Sequence, residues 1–255
     1  MSELEIRDAL LQRGERLFSA PPALVIFAKH VEADKLLNAL DRLPHAFVIG
    51  CIMDQQIQAE QAWMIPFRVS ELLGSFSIER LAELSHEDIR RLMAGPPRLH
   101  FYFDRMSDFF YSAIGRIMEV YSGDASRIWS ERPSSAEVVY RFLEFDGVGP
   151  KLATMGANIL ARDFKIPMSD YTSIDISVDR HVRRVFGRLR LCPQDADVLR
   201  IIYKARALNP EFPGLLDYPA FELGRELCKE RRPLCADCYM RPYCPSAAEY
   251  GAVNP

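Results

Sequence analysis

The sequence has no apolar run long enough to cross a bilayer. Its longest apolar stretches, 23–28 and 46–53, are far shorter than the roughly 20 residues that a membrane-spanning helix needs. Residues 1–17 mix acidic and basic side chains and contain no apolar h-region, which argues against a secretory signal. We therefore expect a cytoplasmic protein without a membrane segment.

The sequence also lacks an excess of positive charge. Its 32 Lys and Arg residues against 35 Asp and Glu give a net charge of −3, so a partner rich in phosphate would have to find its positive charge locally. There are only six cysteines, and in a reducing compartment a cluster of thiols more often binds metal than forms disulfides. Cys51 and Cys192 stand apart from the others and are expected to be ordinary buried thiols.

Alternating β-branched runs are scarce, and apolar residues recur at three- and four-residue spacing, which predicts an all-α fold. Internal repeats and low-complexity segments are absent from the sequence, and length alone is compatible with one domain or two. The predicted helices cover residues 4–17, 33–42, 48–63, 78–93, 104–121, 136–145, 150–162, 180–189 and 195–206.

The helices predicted at 136–145 and 150–162 are separated by a segment too short for anything but a tight turn. In this turn Gly147 and Gly149 permit positive φ and close backbone approach, while Val148 can point inward. The outward-facing amides and the start of the second helix would then form a phosphate site that needs no basic side chain. The alternative is a plain corner between two helices.

The wider string 143–153, LEFDGVGPKLA, resembles the helix-hairpin-helix motif of DNA-binding proteins. Lys151 follows the hairpin and Asp179 lies in a V-D-x-H string, and this combination resembles the catalytic pair of the endonuclease III family. The resemblance implies that Asp179 stabilises positive charge on the sugar and that Lys151 attacks C1′ to form a Schiff base. The segment 163–176 is longer than the family pattern, which makes Asp175 a rival to Asp179.

Three arginines near Asp179 are candidate DNA-binding residues, namely Arg180, Arg183 and Arg184. The string CIMDQQIQA at 51–59 is similar to the family's glutamine-bearing helix end, which makes Gln56 the candidate that fills the space left by an extruded base. Its alternative is an ordinary polar helix residue. Where the adenine-mismatch branch has a catalytic carboxylate this sequence has Cys51, which argues against adenine excision.

Four cysteines lie within 17 residues near the C-terminus, and zinc and iron–sulfur are the two alternatives for their ligand: Cys228, Cys235, Cys238 and Cys244. Zinc sites usually pair their ligands as two C-x2–4-C knuckles, whereas only Cys235 and Cys238 are so paired. The spacing resembles that of endonuclease III and its adenine-mismatch relative, which implies a [4Fe–4S] cluster in a loop that contacts DNA.

The resemblance covers roughly residues 30–245 and implies the two-lobed HhH-GPD glycosylase fold. We expect a terminal lobe of residues 1–35 plus 190–255 with the cluster loop, and a central helical barrel of residues 36–189. The implied protein is a nucleoid-associated, monomeric DNA glycosylase and AP lyase acting on damaged pyrimidines in double-stranded DNA that contains a damaged base or abasic site. The alternatives are a monofunctional mismatch glycosylase and a non-catalytic DNA-binding or damage-sensing module.

Overall fold

The computed structural model describes residues 2–251, and every regular element in that part of the chain is helical, which confirms the all-α prediction. The α-helices are α1 Glu3–Ser19, α2 Val31–Asn38, α3 Pro44–Met53, α4 Ala59–Leu73, α5 Ile78–Ala82, α6 His86–Ala94, α7 Phe103–Tyr121, α8 Ser135–Leu143, α9 Pro150–Arg162, α10 Arg180–Arg188, α11 Val198–Leu208, α12 Asp217–Glu222 and α13 Ala247–Gly251. Short 3₁₀ segments occupy Ala125–Ile128, Pro213–Leu216 and Arg241–Tyr243, and a π-helical segment, Leu223–Leu227, continues α12.

Two predicted helices are each divided in the structure. The helix expected over 48–63 is interrupted between α3 and α4, where Gln56 adopts a left-handed φ of 58°. The helix expected over 78–93 is interrupted before α6, where Ser85 forms a capping box with Asp88 that favours a new helix start. None of the helices in residues 2–251 has the length and apolar character needed to cross a membrane.

The chain folds into two compact units. The terminal unit consists of residues 1–21, 134–136 and 157–255, and the central unit consists of residues 22–133 and 137–156. The division expected from the sequence, 1–35 plus 190–255 against 36–189, draws the boundaries elsewhere. Residues 157–189 belong to the same unit as the chain termini, because α10 contributes its buried face to the core of the terminal unit.

The central unit is built around α3, whose ten residues are all buried. A helix that is apolar on every side is stable only when other elements surround it, and α2, α4 and α7 pack against α3. Gly50 lets α4 approach closely, because a Cβ at this position would lie 2.6 Å from the Trp63 ring. Trp63 in turn stacks on Phe27 with ring centroids 4.3 Å apart.

The core of the terminal unit is formed around α10. Val182, Val185 and Phe186 lie on one face of this helix and are completely buried. They belong to the same core cluster as Leu10 of α1 and Ile201 of α11. Burial of large apolar side chains stabilises a fold by about 1.5–3 kcal/mol each, so α10 is held in place largely by this face, and its first turn is fixed with it.

Candidate functional site

Packing on the inner side of the turn between α8 and α9 fixes its backbone conformation. Gly147 has a φ of 79°, and a Cβ at this position would lie 2.3 Å from the Phe109 ring. Val148 is 9% exposed, which confirms its predicted inward orientation, and its N–H donates to the carbonyl oxygen of Phe145 at 3.1 Å. The turn therefore requires glycine at position 147 for both its backbone conformation and its packing.

The outer side of the same turn is open. A Cβ at Gly149 would meet no heavy atom within 4 Å, and the carbonyl of Gly149 accepts the N–H of Ala153 in the first turn of α9. The first amides of a helix have no partner within the helix and carry partial positive charge, so they favour anions. This geometry leaves room for a phosphate to approach the backbone at Gly149.

Lys151 lies in the first turn of α9 and is exposed. The next two residues face the opposite way, since Leu152 is 6% exposed and Ala153 is completely buried. The helix packing therefore fixes the backbone that carries Lys151 while its side chain stays on the outer surface, next to the open side of the turn.

A carboxylate lies near Lys151 that the sequence patterns did not single out. Asp54 follows α3, is half-buried, and accepts a hydrogen bond at Oδ2 from the indole N–H of Trp63 at 3.3 Å. Burial raises the pKa of this carboxyl, and the positive charge of Lys151 and the Trp63 hydrogen bond act in the opposite direction. A partly buried acid whose pKa responds to the charge of the candidate nucleophile is a further candidate residue of the site.

The predicted glutamine lies in the short loop between α3 and α4, not at a helix end. Gln56 is exposed at its tip with a left-handed φ of 58°. Its neighbour Gln55 fixes the loop, because its Nε2 donates to the carbonyl oxygen of Ile52 at 2.7 Å. The loop is thus held from Gln55 while the Gln56 side chain projects outward.

A second loop is bonded to the glutamine loop. His100 accepts the N–H of Tyr102 at Nδ1, so its Nε2 carries the proton and donates to the carbonyl oxygen of Gln55 at 3.0 Å. Beside it Phe101 is 66% exposed and Tyr102 is 46% exposed. This pair of exposed aromatic rings next to Gln56 was not predicted, because the Pro-rich segment reads only as a loop in the sequence.

Asp179 is the N-cap of α10. Its Oδ1 accepts the backbone N–H groups of His181 at 2.7 Å and Val182 at 2.8 Å, so the carboxylate is held in one orientation. The rival Asp175 is engaged in a bidentate ion pair with Arg206, with both N–O distances 2.7 Å. Of the two acids, Asp175 alone is paired with an arginine in the part of the chain that the structure describes.

The three candidate arginines of α10 differ in what they contact. Arg184 donates to the carbonyl oxygens of Cys228 and Gly224, each at 2.7 Å, and Arg183 donates to the carbonyl oxygen of Ala196. Arg180 is exposed, and its Nε lies 3.4 Å from a ring nitrogen of His181. The guanidinium groups of Arg183 and Arg184 thus support neighbouring loops, whereas Arg180 is directed to the surface.

The long segment 163–176 is anchored to the terminal unit. The Lys165 ammonium donates to the carbonyl oxygens of Leu17 and Phe18, which are orphan acceptors at the C-terminal end of α1. Tyr171 stacks on Phe212 with ring centroids 4.9 Å apart. The added length thus forms a brace between α1 and the segment that follows α11.

The four C-terminal cysteines line a single cavity together with apolar side chains that include Val185 of α10, Leu189 directly after it and Leu223 of the π-helical segment. Burial, together with the smaller effect of the other three cysteines, raises the pKa of the Cys238 thiol to about 11. Burial also raises the pKa of Cys244. Thiols this hard to ionise need a positive partner to become thiolates, and a bound metal supplies one.

Hydrogen-bond donors surround the sulfur atoms. Arg188 is 7% exposed, and its Nη1 lies 3.3 Å from Sγ of Cys228. The backbone N–H of Met240 donates to Cys238, and that of Ser246 donates to Cys244. Four thiols around one cavity, with N–H donors on the sulfurs, are a set of residues that could hold an iron–sulfur cluster or a zinc ion.

Solved structures with a similar fold come from DNA repair enzymes. A non-covalent endonuclease III–DNA complex matches with a TM-score of 0.66 and 18% identity, covering 99% of each chain. A thermostable thymine-DNA glycosylase matches with a TM-score of 0.64 and 13% identity, covering 96% of this chain and 98% of that one. At these identities the likeness establishes the fold, and it confirms the two-lobed glycosylase architecture expected from the sequence.

The sequence has relatives in two branches. Adenine DNA glycosylase of Homo sapiens is 26% identical over 210 residues, which are 80% of this chain but 34% of that protein, so the chain spans about a third of its length. Endonuclease III of Thermotoga maritima is 25% identical over 211 residues, covering 79% of this chain and 82% of that protein. The HhH-GPD superfamily base excision DNA repair profile matches residues 49–210, more than half of the sequence. The chain belongs to this superfamily.

Proposed function

We propose that this protein is a base excision repair DNA glycosylase with an associated AP lyase activity, acting on double-stranded DNA. The observation that carries the proposal is the exposed Lys151 beside a turn whose outer backbone, at Gly149, is open to a phosphate. Endonuclease III of Thermotoga maritima and the endonuclease III–DNA complexes among the solved neighbours support it.

Lys151 is the proposed nucleophile. The Lys151 amine attacks C1′ of the damaged nucleotide, and a bond forms between the lysine nitrogen and C1′. The glycosidic bond between C1′ and the base breaks, and its electron pair leaves with the base. The amine loses a proton, the sugar ring opens, and the resulting imine makes the C2′ proton acidic. Loss of that proton expels the 3′ phosphate, which is β-elimination and cuts the strand.

Asp179 is proposed to stabilise the positive charge that develops on the sugar as the base departs. A carboxylate fixed by two backbone N–H groups needs no reorganisation when this charge appears, which is how electrostatic stabilisation is most effective. The bidentate ion pair between Asp175 and Arg206 argues against the rival assignment, because it already uses both oxygens of that acid.

DNA is proposed to be held mainly through backbone and stacking contacts. Gly147, Val148 and Gly149 would present the start of α9 to a phosphate. Gln56 would occupy the space left by the extruded base, and exposed Phe101 would stack on a neighbouring base. Of the three arginines, Arg180 is best placed to contact a phosphate, whereas Arg183 and Arg184 act by holding the loops they bond.

The four cysteines are proposed to hold a [4Fe–4S] cluster through their thiolates: Cys228, Cys235, Cys238 and Cys244. When bound, such a cluster would cross-link the C-terminal loop to α10 and contribute to folding. The residues around it assist, because the N–H groups of Met240 and Ser246 and the Arg188 guanidinium donate to thiolate sulfur. A zinc ion is the alternative ligand.

Damaged pyrimidines are the proposed substrate class. The adenine-glycosylase relatives make a monofunctional mismatch glycosylase the second candidate. Against it stands Cys51, which is 1% exposed and whose thiol pKa is raised well above its usual range by burial, so this side chain does not replace a catalytic carboxylate. A non-catalytic damage sensor is the third candidate, and it would bind lesions without releasing a base.

Borohydride trapping on duplexes that each carry one lesion or an abasic site tests the function. We expect covalent trapping with the wild type, none with Lys151→Ala, and normal trapping with Lys35→Ala, which removes an exposed lysine paired with Glu32 on α2. Base release without trapping would support the mismatch glycosylase, and binding without base release would support the sensor. Trapping by Lys151→Ala would refute the assigned nucleophile.

Iron and zinc analysis of the purified protein tests the cluster. We expect a brown protein that contains iron and loses its colour and iron when Cys238 is replaced by serine, whereas Cys192→Ser, outside the cluster, retains both. A colourless protein that contains stoichiometric zinc would refute the iron–sulfur assignment.

A further inference from the structure

A buried acid that the proposed chemistry does not use holds the segment leading into Asp179. Asp217 is the first residue of α12 and is 8% exposed, and its Oδ1 accepts the backbone N–H of Ser177 at 2.6 Å. Ser177 is also buried and lies two residues before Asp179 in the chain. A carboxylate is costly to bury, and here one of its oxygens binds the main chain next to the residue proposed to stabilise charge on the sugar.

The stretch of chain around Asp217 also packs on the same segment through apolar contacts. A Cβ at Gly214, in the 3₁₀ turn that precedes α12, would lie 2.7 Å from Cγ2 of the completely buried Ile174. Asn158 of α9 donates from Nδ2 to the carbonyl oxygen of Gly214 at 2.9 Å, and the same Nδ2 lies 3.5 Å from Oδ2 of Asp217. The carboxylate and the segment 174–179 are therefore fixed by one set of buried contacts within the terminal unit.

The residues that follow Asp179 contact the continuation of the same element. Gly224 lies in the π-helical segment that continues α12, and a Cβ at this position would lie 2.8 Å from Cβ of His181. The carbonyl oxygen of Gly224 accepts a hydrogen bond from the Arg184 guanidinium at 2.7 Å. Along the chain, Asp179 thus lies between two contacts to one continuous element, at Asp217 before it and at Gly224 after it.

We propose that Asp217 is a positioning residue for Asp179: its bond to the Ser177 N–H determines where the Asp179 carboxylate stands when positive charge develops on the sugar. This inference rests on the proposed glycosylase function and on the role of Asp179 in it. The bonds from His181 and Val182 orient the Asp179 carboxylate, but both belong to the first turn of α10 and move with it. The bond to Asp217 anchors that turn to a separate element.

Loss of the Asp217 carboxylate should affect the two steps of the reaction differently. The buried Ser177 N–H would lose this acceptor, and the segment would shift to find another. A misplacement of about 1 Å costs about 100-fold in a rate that depends on exact geometry. Base release builds positive charge on the sugar and therefore depends on Asp179. Covalent trapping on a preformed abasic site has no base to release and depends on Lys151.

Single-turnover rates of two reactions, measured with protein in excess on the same preparations, test the proposal. The first is base release from duplexes that each carry one oxidised pyrimidine, and the second is borohydride trapping on an abasic duplex. For Asp217→Ala we expect base release slower by about 10- to 100-fold and trapping within about threefold of the wild type. Asp217→Asn should recover most of the base release, because its amide oxygen can still accept the Ser177 N–H.

Asp34 supplies a matched control. It is 2% exposed, and its Oδ1 accepts the backbone N–H groups of Phe27 at 2.9 Å and Ala28 at 2.8 Å in the central unit. Asp34→Ala therefore also removes a buried acid that bonds the main chain. It should lower thermal stability without changing the ratio of the two rates, because a smaller folded fraction reduces both reactions alike.

A double-mutant cycle tests whether Asp217 acts through Asp179. In the Asp179→Asn background, Asp217→Ala should slow base release further by less than about twofold, since no carboxylate remains to be positioned. Multiplicative effects of the two substitutions would overturn the proposed coupling. Equal losses of both reactions in Asp217→Ala, or an Asp217→Asn variant as slow as Asp217→Ala, would also overturn it. Absence of base release by the wild type from every duplex would instead overturn the glycosylase function, and this role with it.

Amide hydrogen exchange checks the geometry independently of activity. The backbone N–H groups of Ser177 and His181 should exchange faster in Asp217→Ala than in the wild type, and at the wild-type rate in Asp34→Ala. Unchanged exchange at His181 would refute the positioning role. Asp217→Glu, which keeps a buried carboxylate but displaces its oxygens by one methylene group, serves if Asp217→Ala does not fold. It should show the same selective loss of base release, and a wild-type ratio of the two rates would contradict the proposal.

Discussion

Alanine substitutions of the two hairpin glycines, Gly147 and Gly149, give a matched test of the phosphate site. We expect the first to lower stability and the second to weaken DNA binding without lowering stability. Alanine at position 147 needs a left-handed φ, which costs about 1–2 kcal/mol. It also puts a methyl group 2.3 Å from the Phe109 ring, and such overpacking costs about 1–3 kcal/mol. Gly147→Ala should therefore lower the free energy of unfolding by at least about 2 kcal/mol, or Tm by at least about 4 °C.

Alanine at position 149 meets no such penalty. Its Cβ has open space and its φ lies outside the left-handed region, so Gly149→Ala should leave Tm unchanged or raise the stability by about 0.4–1 kcal/mol. The new methyl group stands where the phosphate would approach. Loss of one charge-assisted hydrogen bond is worth about 1.5–3 kcal/mol, so the Kd for an abasic duplex should rise about 10- to 100-fold.

Thermal unfolding and duplex binding by fluorescence anisotropy measure the two effects on the same preparations. Unchanged affinity of Gly149→Ala would refute the phosphate site at the hairpin. Unchanged Tm of Gly147→Ala would refute the packing argument on which the rigid turn depends.

Three further predictions concern other parts of the chain. The Arg188→Met variant should lose iron to a chelator faster than the control variant Arg190→Met. The reason is that Arg188 contacts Sγ of Cys228, whereas Arg190 forms a surface ion pair with Glu249. Equal rates of iron loss would contradict this prediction. Phe101→Ala should weaken binding to a lesion duplex by about 1–3 kcal/mol, the usual loss of one stacked base, without changing Tm; unchanged anisotropy would contradict it. Asp54→Asn should raise Tm at neutral pH, because the buried carboxyl has a folded pKa above its unfolded value, and wild-type stability is lost as pH rises through the folded pKa. The higher Tm of Asp54→Asn relative to the wild type should disappear below about pH 4, where Asp54 is protonated in both the folded and the unfolded wild type. Scanning calorimetry from neutral pH to below about pH 4 measures this difference.

Periodicity predicted the long amphipathic helices well, because their apolar stripes are written in the local sequence. The helices α1, α7 and α9 begin and end within two residues of the predicted bounds. The break after α3 was not predicted, since the string DQQIQ contains neither glycine nor proline and Gln56 takes its left-handed φ in a loop held by Gln55 and His100.

The candidate site was predictable only where short motifs carry it. The hairpin, Lys151 and the four cysteines are local patterns, so the sequence alone singled them out. Asp54 and Phe101 were missed because each acquires its meaning from a residue far away in the chain: Asp54 from Lys151, and Phe101 from the loop that carries Gln56. A lone aspartate after an apolar helix carries no such signal in the sequence.

The net charge of −3 becomes compatible with a DNA partner once the proposed contacts are considered together. Two of the three arginines next to Asp179 donate to carbonyl oxygens within the protein, so those N–H groups do not contact a phosphate. At the hairpin the exposed residues include Lys151, and in the loop 95–102 they include Phe101 and Tyr102 together with Arg98. Amides and rings bind phosphate and unstacked bases without requiring net positive charge. Such a chain would recognise a lesion mainly through the shape and deformability of the duplex, and less through electrostatic attraction to every phosphate. Weak non-specific attraction would allow rapid dissociation from undamaged DNA.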